Sequence, residues 1–411
     1  MSRRVLSGWV LAASAYAALY GARLNQPPMM YYDEVYQVTT AKQFLALSGY
    51  RERAHPPLGM LLMAGSIAVF GDHPWAWRVV SCVAGFASLA LVWGIVRMLS
   101  TGAWSAGCAA ALFGLDGLTV TQARIGMLNA TMLAFMLASV WCLVRHVVGG
   151  RGSRRTALIF SGVSFGCGLA TRWVALSIAA VLVMFVAKLW RSATDRKRLA
   201  GELVLWLVLA PLAIYFASFL IVPFLHGYGW SSIWDFQRYM MKLHLDWLQV
   251  PHRYESPWWT WPLMLRPIWY GFQRHPMADG RQLVEGVLCI GNPAIIWAIP
   301  LALGYMLWRV AMHRSLAMGV SLLGFFTQWG QWAFVKRVTF FHYFFTAMPF
   351  AAMALALSLE RLWRRGAWGR GVAAAYLAAV VGMFIYWYPL WSALPIPEGY
   401  YRHHLWLPSW V

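Results

Sequence analysis

Apolar runs long enough to cross a bilayer recur along nearly the whole chain, and this limits the fold more than any other feature. About 20 consecutive apolar residues are needed to cross roughly 30 Å of hydrocarbon at about 1.5 Å per helical residue. Runs of that kind lie at 5–24, 77–97, 103–119, 126–145, 155–170, 173–190, 202–224, 286–308, 315–332, 341–359 and 371–391. None shows the alternating pattern of a membrane barrel, so helices are expected. The composition agrees: 60% of the residues are hydrophobic, 12% are charged and the mean hydropathy is +0.55. The predicted fold class is an all-α polytopic membrane protein, a single domain over 1–411 with about eleven spans. The first span resembles a signal peptide in having Arg3 and Arg4 ahead of it, but no small-residue cleavage site precedes the polar segment that follows.

The basic residues gather in every second short connection: Arg3-Arg4, Arg97, Arg145 to Arg155, Lys188 to Arg198, Arg309 to Arg314 and Arg361 to Arg370. By the positive-inside rule these connections face the cytoplasm, which puts the N-terminus inside and, with an odd number of spans, the C-terminus outside. This bias accounts for most of the +20 net charge, so nucleic acid is not an expected partner; the lipid bilayer is. The outer side then holds the long connections 25–76 and 225–285 and the tail 392–411, together with 11 of the 14 acids. Within the first of these loops, apolar stretches around 36–47 and 58–71 are too short to span and are expected to lie along the surface. A short true span at 58–71 is the alternative. The five cysteines lie in or near apolar runs without metal spacing, so neither a disulfide nor a metal site is expected.

Asp33 and Glu34 directly follow the first span in a chain that uses acids sparingly. An ionised side chain at hydrocarbon depth costs about 2.5 kcal/mol or more, so an acidic pair at the membrane edge is the first candidate for chemistry. A sugar linked through phosphate to a lipid suits such a place. The phosphate needs cations, and an acceptor hydroxyl arriving from water needs a carboxylate to take its proton. Inverting displacement needs one base, for which Asp33 is the choice, with Glu34 assisting or orienting. The competing reading is that the pair caps a surface helix.

Candidate phosphate cations on the same side are Arg78, Arg124, Arg172, Arg266 and the pair Lys336-Arg337, with Arg78 and Arg337 each at the outer mouth of a helix. Each could instead snorkel to lipid headgroups. His55 stands before two prolines that fix a helix entry. His342 is either a substrate contact or a hydrogen-bonded packing residue. Trp258 and Trp259 belong to a Trp-rich segment that reads as an interfacial belt or as platforms for sugar rings.

These residues fall in an ordered set: Tyr32-Asp33-Glu34, His55-Pro56-Pro57-Leu58-Gly59, Trp77-Arg78-Val79-Val80-Ser81, Leu115-Asp116-Gly117 with Gln122-Ala123-Arg124, Ser256-Pro257-Trp258-Trp259-Thr260-Trp261-Pro262 with Leu265-Arg266-Pro267, Gly291-Asn292-Pro293, Arg337 to Tyr343, and the tail from Leu394 to Trp410. The set resembles the protein O-mannosyltransferases from about residue 30 to the C-terminus. The resemblance implies a GT-C glycosyltransferase that transfers mannose, with inversion and no bound metal or other cofactor, from polyprenyl-phosphate mannose to Ser or Thr hydroxyls of polypeptides crossing the membrane. It places the family's acidic pair, expected to be catalytic, on Asp33 and Glu34 and its essential arginine on Arg78. The residues themselves add Arg337, Lys336 and Arg124 to Arg78 as expected donor-phosphate contacts, and His55, Arg266, Trp258, Trp259 and His342 as expected substrate contacts. Loop 225–285 is too short for the β-trefoil MIR domain of eukaryotic members, which points to a bacterial form in the plasma membrane with its active site outside; a dimer is left open. The chain departs from the family pattern at Met60, Asn129 and Arg172, where lysine, an acid and lysine are common. The rival readings are a GT-C transferase acting on a glycolipid or cell-wall polymer, and a lipid-sugar flippase.

Overall fold

The computed structural model describes residues 3–100, 102–149, 154–247, 251–277, 280–313 and 315–410. Arg151 and Arg314 of the predicted basic turns, and the side chains of Arg3, Arg4 and Arg154, lie outside the described residues. Helical segments occur at all eleven predicted spans. The first is α1 (Arg3–Tyr16), continued by a wider turn over Ala17–Gly21. Two short helices follow, α2 (Glu34–Leu45) and α3 (Leu58–Phe70), in the places expected for surface helices. At 13 residues, α3 covers about 20 Å, short of the hydrocarbon thickness.

The bundle continues with α4 (Pro74–Leu99), α5 (Ala103–Gly114), α6 (Gly117–Arg124), α7 (Leu128–Val148), α8 (Arg154–Thr171) and α9 (Ala179–Ser192), the last entered through a tight turn at Trp173–Ile178. Then come α10 (Arg196–Val204) and α11 (Ala210–Ser218), joined into one span by the segments between and after them, and the amphipathic α12 (Ser232–Lys242). The C-terminal part contains α13 (Pro293–Ile296), α14 (Ile299–Met312), α15 (Leu316–Gly330), α16 (Met348–Trp363) and α17 (Ala367–Trp391). Among the described residues seven continuous helical stretches are long and apolar enough to cross a membrane, and the α5–α6 pair, bent by 63°, makes an eighth.

Helix packing is tightest where side chains are smallest. Gly162 and Gly166, four apart on one face of α8, let the chain from Trp206 to Pro211 approach; a Cβ on Gly162 would overlap the Trp206 carbonyl oxygen. This small-residue spacing is how membrane helices gain close backbone contact. The helix α7 packs against both α4 and α8; its buried face from Met132 to Val144 joins the main core, while Leu128 packs in a second cluster with residues of α2 and α3.

Two places differ from the sequence reading. The predicted span 286–308 starts at Pro293, because Gln282–Cys289 is a strand, β2, paired antiparallel with β1 (Ile268–Pro276). A third short strand, β3 (Ile396–Pro397), pairs with β2 and ties the tail to the second long loop. The ordered motifs of the sequence meet in pairs around this sheet. Asp116 caps α6 through Leu118 N–H (2.9 Å) and also accepts from Asn292 N–H (2.9 Å). Ser256 exchanges two hydrogen bonds with Thr339. Trp410 donates to the Met264 carbonyl (2.6 Å), and Ser409 Oγ donates to that of Leu265 (2.5 Å). The described parts of the second long loop and the tail thus form a packed cap, which the first long loop joins through Arg53, donating to the Tyr228 hydroxyl (2.7 Å), and through the His244 ring at the Ala54 carbonyl (2.9 Å).

Candidate active site

Glu34 opens α2 fully buried, and its carboxylate is completely engaged. Arg78 donates to both of its oxygens (2.8 and 3.0 Å), and Gly126 N–H adds a third bond (2.7 Å). The remaining Arg78 donors go to the carbonyls of Leu24 (3.0 Å), Pro27 (2.8 Å) and Met29 (3.0 Å). All five N–H groups of a guanidinium are then used, which leaves none for a phosphate. Arg124 is spent in the same way, its two terminal nitrogens donating to the carbonyls of Leu19, Tyr20, Ala22, Arg23 and Ser392. In this structure Arg78 and Arg124, expected to contact the donor phosphate, are instead engaged with protein oxygens. They satisfy the carbonyls at the end of the first span and of the irregular chain leaving it, which have no helical partners.

Asp33 occupies the position before α2 but makes no capping bond. It is half-buried, and burial pushes its carboxyl up to about 6 while the Arg172 charge pulls it back. Of the two adjacent acids, then, Glu34 is the structural one and Asp33 remains available.

Arg172 lies between α8 and the entry to α9, 4% exposed. Its Nη1 donates to Asn129 Oδ1, and its Nε has no partner. Asn129 in turn donates to Gln122 (2.8 Å), which donates to the Tyr270 hydroxyl on β1. An unpaired buried N–H costs about 1–3 kcal/mol, so a site that keeps one is expected to present it to a ligand. Next to it His342, 3% exposed, also has an unpartnered Nδ1. Both line a narrow cavity of about 10 Å³ with Asn129, Trp332, Tyr343 and Thr346. Arg337 approaches from the other side, over the rings of Trp332 and Tyr343 (5.7 and 5.2 Å) and donating to the Tyr343 hydroxyl (3.3 Å).

His55 faces His244 with ring centroids 5.8 Å apart, and His244 contacts the Ala54 carbonyl (2.9 Å) and the Trp173 ring. Burial, then the charge of Arg172, drives His55 well below its ordinary value; burial and Arg337 take His244 down to about 4. Both imidazoles are therefore neutral near neutral pH. Elsewhere, Arg266 is held by the carbonyls of Arg253 and Ser409 and serves to anchor the tail. Trp258 packs edge-on against Trp329 and accepts its N–H. Trp259 and Lys336 are exposed. Among the described residues no three His, Cys, Asp or Glu side chains come together as a metal-binding group.

Two family profiles match the chain, one described as "Dolichyl-phosphate-mannose-protein mannosyltransferase" over residues 54–215 and one as "C-terminal four TMM region of protein-O-mannosyltransferase" over residues 229–410. The chain belongs to the protein O-mannosyltransferase family. Among its relatives is the polyprenol-phosphate-mannose–protein mannosyltransferase of Mycobacterium tuberculosis, 26% identical over 98% of this chain and 92% of the relative. The Corynebacterium glutamicum protein of the same name is 26% identical over 88% and 82%. In fold, the chain superposes on the S. cerevisiae protein O-mannosyltransferase Pmt1-Pmt2 complex bound to the sugar donor with a TM-score of 0.85, covering 97% of this chain and 92% of that one at 14% identity. ArnT from Cupriavidus metallidurans, bound to undecaprenyl phosphate, follows at 0.61, 15% identity, 94% and 74% coverage. The fold is GT-C, and the chain is a glycosyltransferase.

In this mannosyltransferase Arg172 and His342, both candidates from the sequence, line the narrow cavity. Tyr32, next to Asp33, packs against the His342 ring (5.8 Å), and the charges of Asp33, Arg337 and Glu52 act on Arg172. His55 stacks on His244; Glu52 and His244 are the two that the sequence did not single out. Arg172 was one of several basic residues at span ends. The signal that separates it from the others is spatial: it is a buried guanidinium with a neutral hydrogen-bond partner and a spare N–H. Glu52 is one of the few acids in the chain, and His244 bears no sequence mark at all.

Proposed function

We propose that the protein transfers mannose from polyprenyl-phosphate mannose to Ser or Thr hydroxyls of polypeptides, at the outer face of a bacterial plasma membrane. The observation that carries this reading is an available carboxylate at Asp33 under the charge of Arg172, a buried guanidinium that has a spare N–H. In the proposed step the acceptor oxygen attacks the anomeric carbon of the sugar, opposite the phosphate. The bond from that carbon to the phosphate oxygen breaks as the new one forms, inverting the centre. Asp33 takes the hydroxyl proton, and a carboxyl held near 6 is matched to work as a base near neutral pH. The phosphate leaves with the bonding electrons, and its growing charge is met by Arg172, with Arg337 and the His342 ring beside it. Preorganised cations in a dry site stabilise such charge far more than water does. The reading calls on no metal, since guanidinium groups supply the positive charge. The basic turns at the opposite end of the bundle are taken to face the cytoplasm.

The test uses membranes carrying wild type, Asp33→Asn, Arg172→Ala or Arg78→Lys, with labelled polyprenyl-phosphate mannose and a Ser/Thr-rich peptide. Loss of peptide labelling by at least about 100-fold in Asp33→Asn and Arg172→Ala, with thermal stability retained, is the expected result. Undiminished transfer by Asp33→Asn would refute the base assignment. Label appearing in lipid or polymer but never in peptide would move the acceptor to the glycolipid reading.

A further inference from the structure

The narrow cavity beside Arg172 has a wall residue whose polar atom the reaction just described does not use. Trp332 belongs to the tight turn Gln331–Phe334 that follows α15, and it is 3% exposed. Its ring is fixed from several sides. Tyr343 stacks on it at 4.3 Å and 10°, Trp261 meets it edge-on at 5.9 Å, and the Arg337 guanidinium lies 5.7 Å from its centre. Its Nε1 nevertheless has no hydrogen-bond partner. A ring packed this way cannot swing to find an acceptor elsewhere.

Three residues with an unpaired polar atom therefore line one cavity: Arg172 with its Nε, His342 with its Nδ1 and Trp332 with its Nε1. The indoles of Trp206, Trp387 and Trp391 also lack partners, but none of them lines it. A guanidinium Nε and an indole Nε1 only donate, and a neutral imidazole can carry its proton on either nitrogen. The guest must therefore be an acceptor. A space of about 10 Å³ has room for roughly one oxygen-sized atom. Met132, Val174 and Phe345 add apolar surface to the wall, which strengthens the pull of such donors on a negative charge. A sugar hydroxyl would bring a proton of its own, whereas the amide oxygen in the wall, Asn129 Oδ1, already accepts from Arg172. An anionic oxygen suits the size, the donors and the charge together.

We propose that Trp332 is a further catalytic residue of the transfer: with Arg172 and His342, its indole N–H forms an oxyanion hole for one non-bridging oxygen of the phosphate as the bond to the sugar breaks. The bonding pair leaves with the phosphate, the acceptor proton goes to Asp33, and Trp332 keeps its own proton throughout. Its hydrogen bond strengthens as the leaving phosphate gains charge, so it favours the transition state over the bound donor. The inference rests on Arg172 meeting the donor phosphate.

The measurement is kcat and KM for labelled polyprenyl-phosphate mannose, together with inhibition by sugar-free polyprenyl phosphate, in lipid-reconstituted wild type, Trp332→Phe and Arg172→Ala. Phenylalanine keeps an aromatic ring against Tyr343 and removes the donor. Trp332→Phe is expected to lose about 100-fold in kcat with KM changed by less than about threefold. Polyprenyl phosphate should inhibit it about tenfold more weakly than wild type, as fits a lost hydrogen bond to a charged group. A stable Trp332→Phe protein with wild-type kcat would overturn the proposal. So would a lowered kcat with unchanged inhibition by polyprenyl phosphate, because the N–H would then meet the sugar. If Trp332→Phe does not fold, 3-benzothienylalanine at position 332, which keeps the ring shape and has sulfur in place of N–H, gives the same comparison. The two readings fail separately. Arg172→Ala with wild-type kcat and inhibition removes the phosphate assignment itself, whereas an impaired Arg172→Ala beside an unaltered Trp332→Phe removes only the role of Trp332.

Discussion

Asp33 and Glu34 are neighbours in sequence with opposite roles, because a helix start turns one carboxylate inward and leaves the other at a cleft. Removing the partner of a buried charge costs about 3–5 kcal/mol. Arg78→Ala is therefore expected to abolish activity by lowering the yield and melting temperature of the protein in detergent, whereas Arg172→Ala should keep both and lose only transfer. A thermal-shift assay run beside the activity assay separates the two. The activity of wild type should also fall on the acid side with a midpoint of about 6, set by Asp33. The sign follows from its role: the base must be ionised, burial has raised the pH at which it ionises, and activity is lost as pH falls through that value. The pair itself was legible in the sequence because acids are scarce there. The division of labour was not, since nothing local shows that the five donors of Arg78 find carbonyls at Leu24, Pro27 and Met29 and the carboxylate of Glu34.

At the scale of elements, the spans and both surface helices were legible because long apolar runs declare themselves, and α2 and α3 fall within a few residues of their expected places. The sheet was not. Its strands draw register from pairing between 268–276, 282–289 and 396–397, contacts that local pattern cannot report. The α8 glycines give this scale its prediction. Gly162→Val forces a side chain into the Trp206 carbonyl and should cost at least about 1–3 kcal/mol, read as a lower melting temperature. Gly65→Ala, on α3 with open space around its Cβ position, is the control and should be neutral or mildly stabilising.

For the whole molecule, the proposed orientation predicts which residues an impermeant thiol reagent reaches in intact cells. Cysteine at Arg402, in the exposed tail, should react from outside; cysteine at Lys197, in the basic first turn of α10, should react only after the cells are opened. Four of the five native cysteines are buried, which keeps the background low. The cap that holds the tail also has a bearing on biosynthesis. Seven carbonyls between Leu19 and Met29 accept from Arg78 or Arg124, residues that leave the ribosome well after them, and Asp33 gains its charge partner only when Arg172 follows. If Arg172 meets the donor phosphate as proposed, a nascent chain that has not yet inserted α8 has no group there to hold it. Transfer is then expected to begin only as the later helices close over the segment that began the chain.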